Sequence, residues 1–350
     1  MININFHWFY QCLPVSYFKM LGLRFTGHKG LYLGEFPKPQ AKGTEVVVKV
    51  MASAICGSDR EVWEGEGQKA IPGHESSGQV VEVDRPTRVR VGDRVAINCH
   101  VTCGHCIHCL NGDLYFCPEL SVIGIDRNGG NAEYVLVPES SCMPLPDDVS
   151  YEAGALLVDM LGTSYRAIKR LNLLPGDTVG IFGAGPIGLA ALLVAKRYGM
   201  RVVLIDLNAY RLDMARRLRA DEVFDPHGED VLKSIDNWTA GRGLDAALEC
   251  IGAEATTRQA LEAVKKRGTV ALVGVSTRVT VNPWEQFIKK EVTMFGSRNF
   301  NVREYWEMVA LVQRGLPIED IVTHRFSLER AEEAFAVFGS GQCGKVIIQP

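Results

Sequence analysis

Apolar positions recur with two different periods along this chain, and the change of period divides it. Ahead of Pro146 the apolar runs are short, rich in β-branched residues and bounded by turn residues, which is the pattern of strands. The run from Met20 predicts the opening strands of a domain, and residues 45–50, 78–83 and 93–97 predict more, with turn-rich segments around Gly57 and Gly73. This part reads as an all-β body with long loops. After Pro146 the period lengthens: Ala and Leu at helical spacing predict one helix over residues 147–173, closed by Pro175-Gly176-Asp177. Strands then alternate with helices. Strands are predicted at 178–182, 201–206, 222–224, 244–249 and 269–273, with helices at 186–198, 209–219, 230–239 and 255–266. That order indicates a doubly wound parallel sheet. Residues 292–295, a helix at 304–313, the segment RFSLERAEEAFAVF and a strand at 345–349 close the chain and are expected to pack back on the first part.

Composition narrows the class. A chain of 350 residues can bury a substantial core, and two domains are the natural division. Lys plus Arg number 38 against 41 Asp plus Glu, a net charge of −3 with no basic stripe, which argues against nucleic acid as a partner. No apolar run is long enough to span a bilayer, and residues 1–19 lack the basic front end of a signal peptide. They are expected to be an extension to a domain beginning near residue 20. Outside the groupings below, Cys12, Cys99, Cys142, Cys250 and Cys343 are scattered, mostly in apolar runs, as expected of reduced thiols in a cytoplasmic enzyme.

Three groupings carry chemistry. Cys103, Cys106, Cys109 and Cys117 fall within 15 residues, a spacing that suits four thiolates closing around a structural zinc ion. His105 and His108 lie between them and are expected to face solvent. Second, Gly183-Ala184-Gly185-Pro186-Ile187-Gly188 follows an apolar strand and opens a helix, the context in which such a turn cradles a pyrophosphate. Asp206 ends the next strand and can accept hydrogen bonds from ribose hydroxyls, favouring NAD over NADP; Arg211 is expected over the adenosine. Val273, Val275 and Ser297, after later strands, are further candidate cofactor contacts. Third, Cys56-Gly57-Ser58-Asp59 is followed 18 residues beyond Cys56 by His74-Glu75. Cys56 and His74 suit a catalytic zinc, with Asp59 placed to accept a hydrogen bond from the outer nitrogen of His74. Asp159, an acid in the apolar run 155–161, is a candidate third ligand, and Glu75 competes for that role.

From about residue 20 onward these motifs resemble the zinc-dependent medium-chain dehydrogenase/reductase family: CGSD, GHExxG, the four-Cys loop, VGDRV, GAGPIG and the closing LERAEEAF with GKV stand in the family's order. The resemblance implies an α/β protein with a GroES-like catalytic domain (20–160, with the structural-zinc loop at 99–117, and 297–350) around a Rossmann NAD-binding domain (161–296). It also implies one catalytic and one structural zinc per subunit, and a homodimer or homotetramer. Asp159 falls where the family places Cys, Glu or Asp, and Glu75 is a ligand in the sorbitol- and glucose-dehydrogenase-like branches. Two positions depart from the family pattern: Glu61 stands where many members have a proton-relaying histidine, and Asp84 where the zinc signature has Gly or Ala. Only a structural consequence is expected at Asp84.

The chemistry expected is hydride transfer between NAD and a polyol, sugar or secondary alcohol, with the cation lowering the hydroxyl pKa and Ser58 accepting its proton. A zinc-free quinone or enoyl reductase has no use for Cys56, His74 and the cysteine loop together. A zinc- and nucleotide-binding redox sensor would not need Cys56, Ser58, His74 or Asp159, and an NADP-linked reductase would differ at the ribose.

Overall fold

A computed structural model describes residues 18–85, 88–275 and 278–350. Residues 1–17 of the expected extension lie outside the described residues, and Lys19 already opens a strand. β1 (Lys19–Gly27) and β2 (Gly30–Pro37) form a hairpin. β3 (Glu45–Ala54) leads through a short helix, α1 (Asp59–Glu64), to β4 (Glu75–Val83), with which it pairs antiparallel. β5 (Arg94–Ile97) comes next. β6 (His100–Val101) and β7 (Ser121–Val122) then pair across the cysteine loop, which holds α2 (Ile107–Leu110). β8 (Tyr134–Pro138) lies on β3, and β9 (Cys142–Pro144) on β5.

The single helix predicted over residues 147–173 is broken into three pieces. Ser150, in extended conformation, caps α3 (Tyr151–Leu156) by accepting a bond from the Ala153 N–H at 2.9 Å, so the helix starts later than its apolar pattern suggests. A π-helical turn, Leu157–Leu161, then separates α3 from α4 (Gly162–Arg170). Such a turn holds an extra residue and rotates the next helix about its axis, and it favours functional positions. Asp159 sits within it, flanked by fully buried Val158 and Met160.

The alternating region forms a parallel sheet. Its strands are β10 (Thr178–Phe182), β11 (Arg201–Ile205), β12 (Glu222–Phe224), β13 (Leu244–Glu249), β14 (Val264–Leu272) and β15 (Thr293–Gly296). The helices between them are α5 (Pro186–Arg197), α6 (Ala209–Arg217), α7 (Val231–Trp238) and α8 (Glu254–Ala263). The order β12-β11-β10-β13-β14-β15 makes the sheet doubly wound. β10 is buried at all five residues because helices cover both faces. The helix predicted to reach residue 266 stops at Ala263, since Val264 pairs with Leu244 and the chain turns into β14 five residues earlier than predicted.

α9 (Tyr305–Gln313), β16 (Val322–Ser327) and α10 (Ala331–Ser340) lead to β17 (Lys345–Gln349). β17 pairs with β3, Ile347 against Ala54, so the chain's end joins the sheet of its beginning in the order β16-β17-β3-β4-β5-β9. One apolar core runs through both sheets and includes Ala54, Leu157, Leu161, Ile181, Leu192 and Ile347. The switch in strand order between β10 and β13 opens a crevice at the carboxyl edge of the parallel sheet.

Candidate metal and dinucleotide site

Cys56 follows β3 and His74 precedes β4, so antiparallel pairing of two neighbouring strands brings the two together. The loop after β3 is pinned locally, where Asp59 Oδ2 accepts the Cys56 N–H at 2.9 Å. From the other side the π-helical turn delivers Asp159. Its Oδ2 lies 3.4 Å from Cys56 Sγ and 3.5 Å from His74 Nε2, while Oδ1 accepts from Thr163 Oγ1 at 3.1 Å. Ser58 Oγ stands 3.4 Å from the same His74 nitrogen. Asp59 Oδ1 lies 3.4 Å from His74 Nδ1, outside hydrogen-bond geometry. One ligand atom each from Cys56, His74, Glu75 and Asp159 fall within 4.8 Å of one another. Burial alone would raise the Asp159 carboxyl, but the hydrogen bond and charge of His74 hold it well below the ordinary carboxylate range. The Cys56 thiol is pushed up by burial and by the Asp159 and Glu75 charges, an effect that a cation would reverse.

Glu75 also has a partner that sequence reasoning missed. Lys345, on β17, reaches it with Nζ 2.6 Å from Oε1, and the two are 2% and 0% exposed. Burial pushes Glu75 up to about 7 while the lysine pulls it back. Its second oxygen has no partner. A lysine opening an apolar strand at the end of the chain was the available signal. His100 and Arg298 were missed as well. Buried His100 packs edge-on against Tyr115, and the Arg298 guanidinium lies over the Tyr115 ring, 3.7 Å from its centre. His100 feels the charges of Asp159, His74 and Arg298, which places this group beside the cluster. Among the described residues no carboxylate pairs with Arg298.

The glycine turn occupies the switch point. Gly183 has φ +107°, and a Cβ on Gly188 would lie 1.8 Å from Gly183 O, so the helix can approach the turn only without a side chain. Pro186 and Ile187 open α5 after extended Gly185. Asp206 follows β11; its Oδ2 accepts the Ala184 N–H at 2.6 Å and its Oδ1 the Asn208 N–H at 2.8 Å. Arg211 Nη1 stands 3.9 Å from where a Cβ on Gly185 would be, and its buried Nε has no partner. Val273 and Ser297 lie at the ends of β14 and β15, and Val275 is 92% exposed on the loop beyond β14. Buried Ser297 has an unpartnered hydroxyl. Glu61 is exposed on α1, and Asp84 accepts the Gly43 N–H at 2.8 Å, a turn contact.

The cysteine loop gathers its four sulfurs. Sγ separations are 3.4 Å for Cys106–Cys109, 3.6 Å for Cys117–Cys103 and 3.9 Å for Cys103–Cys109. Hydrogen bonds from the His105 and Cys106 backbones lower the Cys103 thiol to about 6. His105 and His108 are exposed.

Residues 42–147 match the family model described as alcohol dehydrogenase GroES-like domain, and residues 186–314 the one described as zinc-binding dehydrogenase. The chain is 35% identical to an L-threonine 3-dehydrogenase of Chromobacterium violaceum, over 91% of this chain and 96% of that one. The chain belongs to the zinc-dependent medium-chain dehydrogenase family. Among solved structures it resembles 2R,3R-butanediol dehydrogenase from Bacillus subtilis, with a TM-score of 0.86 at 27% identity, covering 95% of this chain and 99% of that one. It also resembles an Escherichia coli CFT073 alcohol dehydrogenase complexed with NADH, with a TM-score of 0.87 at 26% identity and the same coverage. This medium-chain dehydrogenase is therefore an oxidoreductase, with a GroES-like domain and a Rossmann-type domain.

Both clusters fit the family's metal. Ligand atoms sharing a tetrahedral zinc lie about 3.3–3.8 Å apart, given bond lengths of about 2.0–2.3 Å. The separations around Asp159 and within the cysteine loop agree with that spacing. The donor set Cys, His and Asp is one zinc accepts, and the four-sulfur set leaves no open position. Among the described residues no helix is long and apolar enough to cross a membrane.

Proposed function

We propose that this dehydrogenase is NAD-dependent and interconverts a secondary alcohol and its ketone, with a hydroxyl beside a carboxylate-bearing carbon as in L-threonine. The observation that carries the reading is the convergence of Cys56, His74 and Asp159, the last on a segment joined to the first turn of α5, where Ser164 Oγ donates to Ile187 O at 2.8 Å. These three would hold a catalytic zinc, while Glu75, tied to Lys345, stands ready as a fourth donor. Cys103, Cys106, Cys109 and Cys117 would hold a second, structural ion. When bound, zinc supplies Lewis-acid polarisation of the substrate oxygen, and the dinucleotide supplies a hydride acceptor.

The chain's own residues do the rest. Thr163 and His74 fix the Asp159 carboxylate in its charged form. Ser58 Oγ accepts the substrate hydroxyl proton and hands it towards solvent, to which Ser58 is open. Gly183, Gly185 and Gly188, with Pro186 and Ile187, take the pyrophosphate on the first turn of α5, and Asp206 takes the ribose, which favours NAD. Arg211 lies over the adenosine, and Val273, Val275 and Ser297 line the rest of the crevice. Arg298, without a carboxylate partner among the described residues, suits an anionic substrate. The same reading divides the chain at residues 160 and 296 and makes it a homodimer or homotetramer in a reducing compartment.

A neutral vicinal diol is the second reading, supported by the likeness to the butanediol enzyme. The test is NADH formation by the purified protein with L-threonine, 2,3-butanediol and sorbitol, each with NAD and with NADP. We expect turnover with NAD and L-threonine, and none in Cys56→Ala, which still binds NADH. Turnover retained in Cys56→Ala would exclude the centre, and preference for a neutral diol would move the substrate to the second reading.

A further inference from the structure

Glu249 ends β13 and is 1% exposed, yet its carboxylate touches no cation among the described residues. It is spent on backbone instead. Oε1 accepts the Ile251 N–H and the Gly252 N–H at 2.9 Å each and the Thr256 hydroxyl at 2.8 Å; Oε2 accepts the Gly252 N–H at 3.0 Å. Its main-chain oxygen accepts from Val273 N at 2.8 Å and Gly274 N at 3.0 Å. One residue thus ties together the loop after β13 and the loop after β14. The loops are in close contact. Gly252 has φ +84°, and a Cβ there would lie 2.3 Å from Val275 O.

This clamp presents an unusual surface. Ile251 packs against the glycine turn, where a Cβ on Gly183 would stand 2.8 Å from Ile251 Cγ1. Yet Ile251 is 47% exposed and Val275 92% exposed. Two bare aliphatic side chains therefore stand at the carboxyl edge of the sheet, beside the turn that would take the pyrophosphate. Exposed apolar surface held rigid by a buried charge network is costly for folding alone and suits a flat ring as its cover.

We propose that Glu249 is a positioning residue: by clamping these two loops it holds Ile251 and Val275 as an apolar shelf against the bound dinucleotide. The proposal deepens the dehydrogenase reading above and rests on it. Glu249 acts through Ile251 and Val275 and touches no reacting atom.

The experiment is fluorescence titration of the zinc-loaded protein with NADH, together with steady-state kinetics and zinc content, for wild type, Glu249→Gln, Ile251→Ala and the double variant. Glu249→Gln keeps the shape but turns a donor amide towards backbone N–H groups, so we expect NADH affinity to fall about tenfold or more. Zinc content and the alcohol KM at saturating NAD should stay within about twofold of wild type, a split that general destabilisation does not produce. Ile251→Ala should weaken NADH several-fold, and the double variant should be no weaker than Glu249→Gln alone, because both act through one shelf. NADH affinity within about twofold of wild type in Glu249→Gln overturns the proposal, as does equal loss of zinc and alcohol binding. If Glu249→Gln does not fold, full NADH affinity in Ile251→Ala overturns it. A wild type that binds no NADH instead overturns the dinucleotide reading itself.

Discussion

Lys345 and Glu75 are the pair on which the centre's geometry depends most. A charge removed from water is tolerated only when paired and hydrogen-bonded, and at 2.6 Å with almost no exposure each compensates the other. Replacing one member strands its partner. Lys345→Met should therefore lower unfolding free energy by about 3–5 kcal/mol, read from urea midpoints of the zinc-loaded protein. A loss under about 1 kcal/mol would mean that Glu75 takes its compensation elsewhere. The pair was illegible in sequence for a simple reason: 270 positions separate its members, and only the return of β17 to β3 brings them together. Cys56, Ser58, Asp59, His74 and Glu75 were legible because they flank one antiparallel strand pair.

The part of the cysteine loop around α2 has few buried contacts. α2 is four residues long with no side-chain cap, none of its residues is buried, and Ile107, Leu110 and Phe116 are 64%, 65% and 57% exposed. So short a helix is not stable alone. The far end of the loop is tied down by Arg166 and Asn301, which bond Asp113 at 3.1 and 2.9 Å, and metal coordination would order the segment that carries Cys103, Cys106 and Cys109. Cys106→Ser should reduce zinc from two ions per chain towards one and lower the melting temperature, measured by elemental analysis and calorimetry. Two ions and unchanged melting would sink the structural role. The break in the long helix belongs to this scale too. Apolar spacing over residues 147–173 reads alike for an α-helix and for one with a π-helical turn, so the extra residue that presents Asp159 left no trace in the periodicity.

For the whole molecule, acid sensitivity has a named source. Burial drives His100 down from its ordinary 6.5 to about 4, with Asp159 opposing and Arg298 and His74 adding to the effect. The unfolded chain takes up this proton near 6.5 and the folded chain only near 4. Stability is therefore lost as pH falls through that interval and levels off below it, by about 3 kcal/mol in all. Urea midpoints between pH 7 and pH 4 should drop more steeply in wild type than in His100→Gln, and parallel curves would rule this source out. Comparing the two also separates it from acid release of metal, which both share.

The short-range patterns of the chain were enough for the alternation of strands and helices, the glycine turn at 183–188 and the cysteine loop at 103–117, because each is a matter of residues within a few turns of one another. They also account for the doubly wound parallel sheet, since strands and helices in that order pack in few ways. Tertiary structure decided how the candidate ligands meet and which further side chains join them. Asp159 arrives from a π-helical turn, Lys345 from the final strand, and both His100 and Arg298 meet the ring of Tyr115. Those meetings depend on strand pairing and core packing between segments far apart in sequence, where no periodicity is shared and the free energy of burial chooses the neighbours.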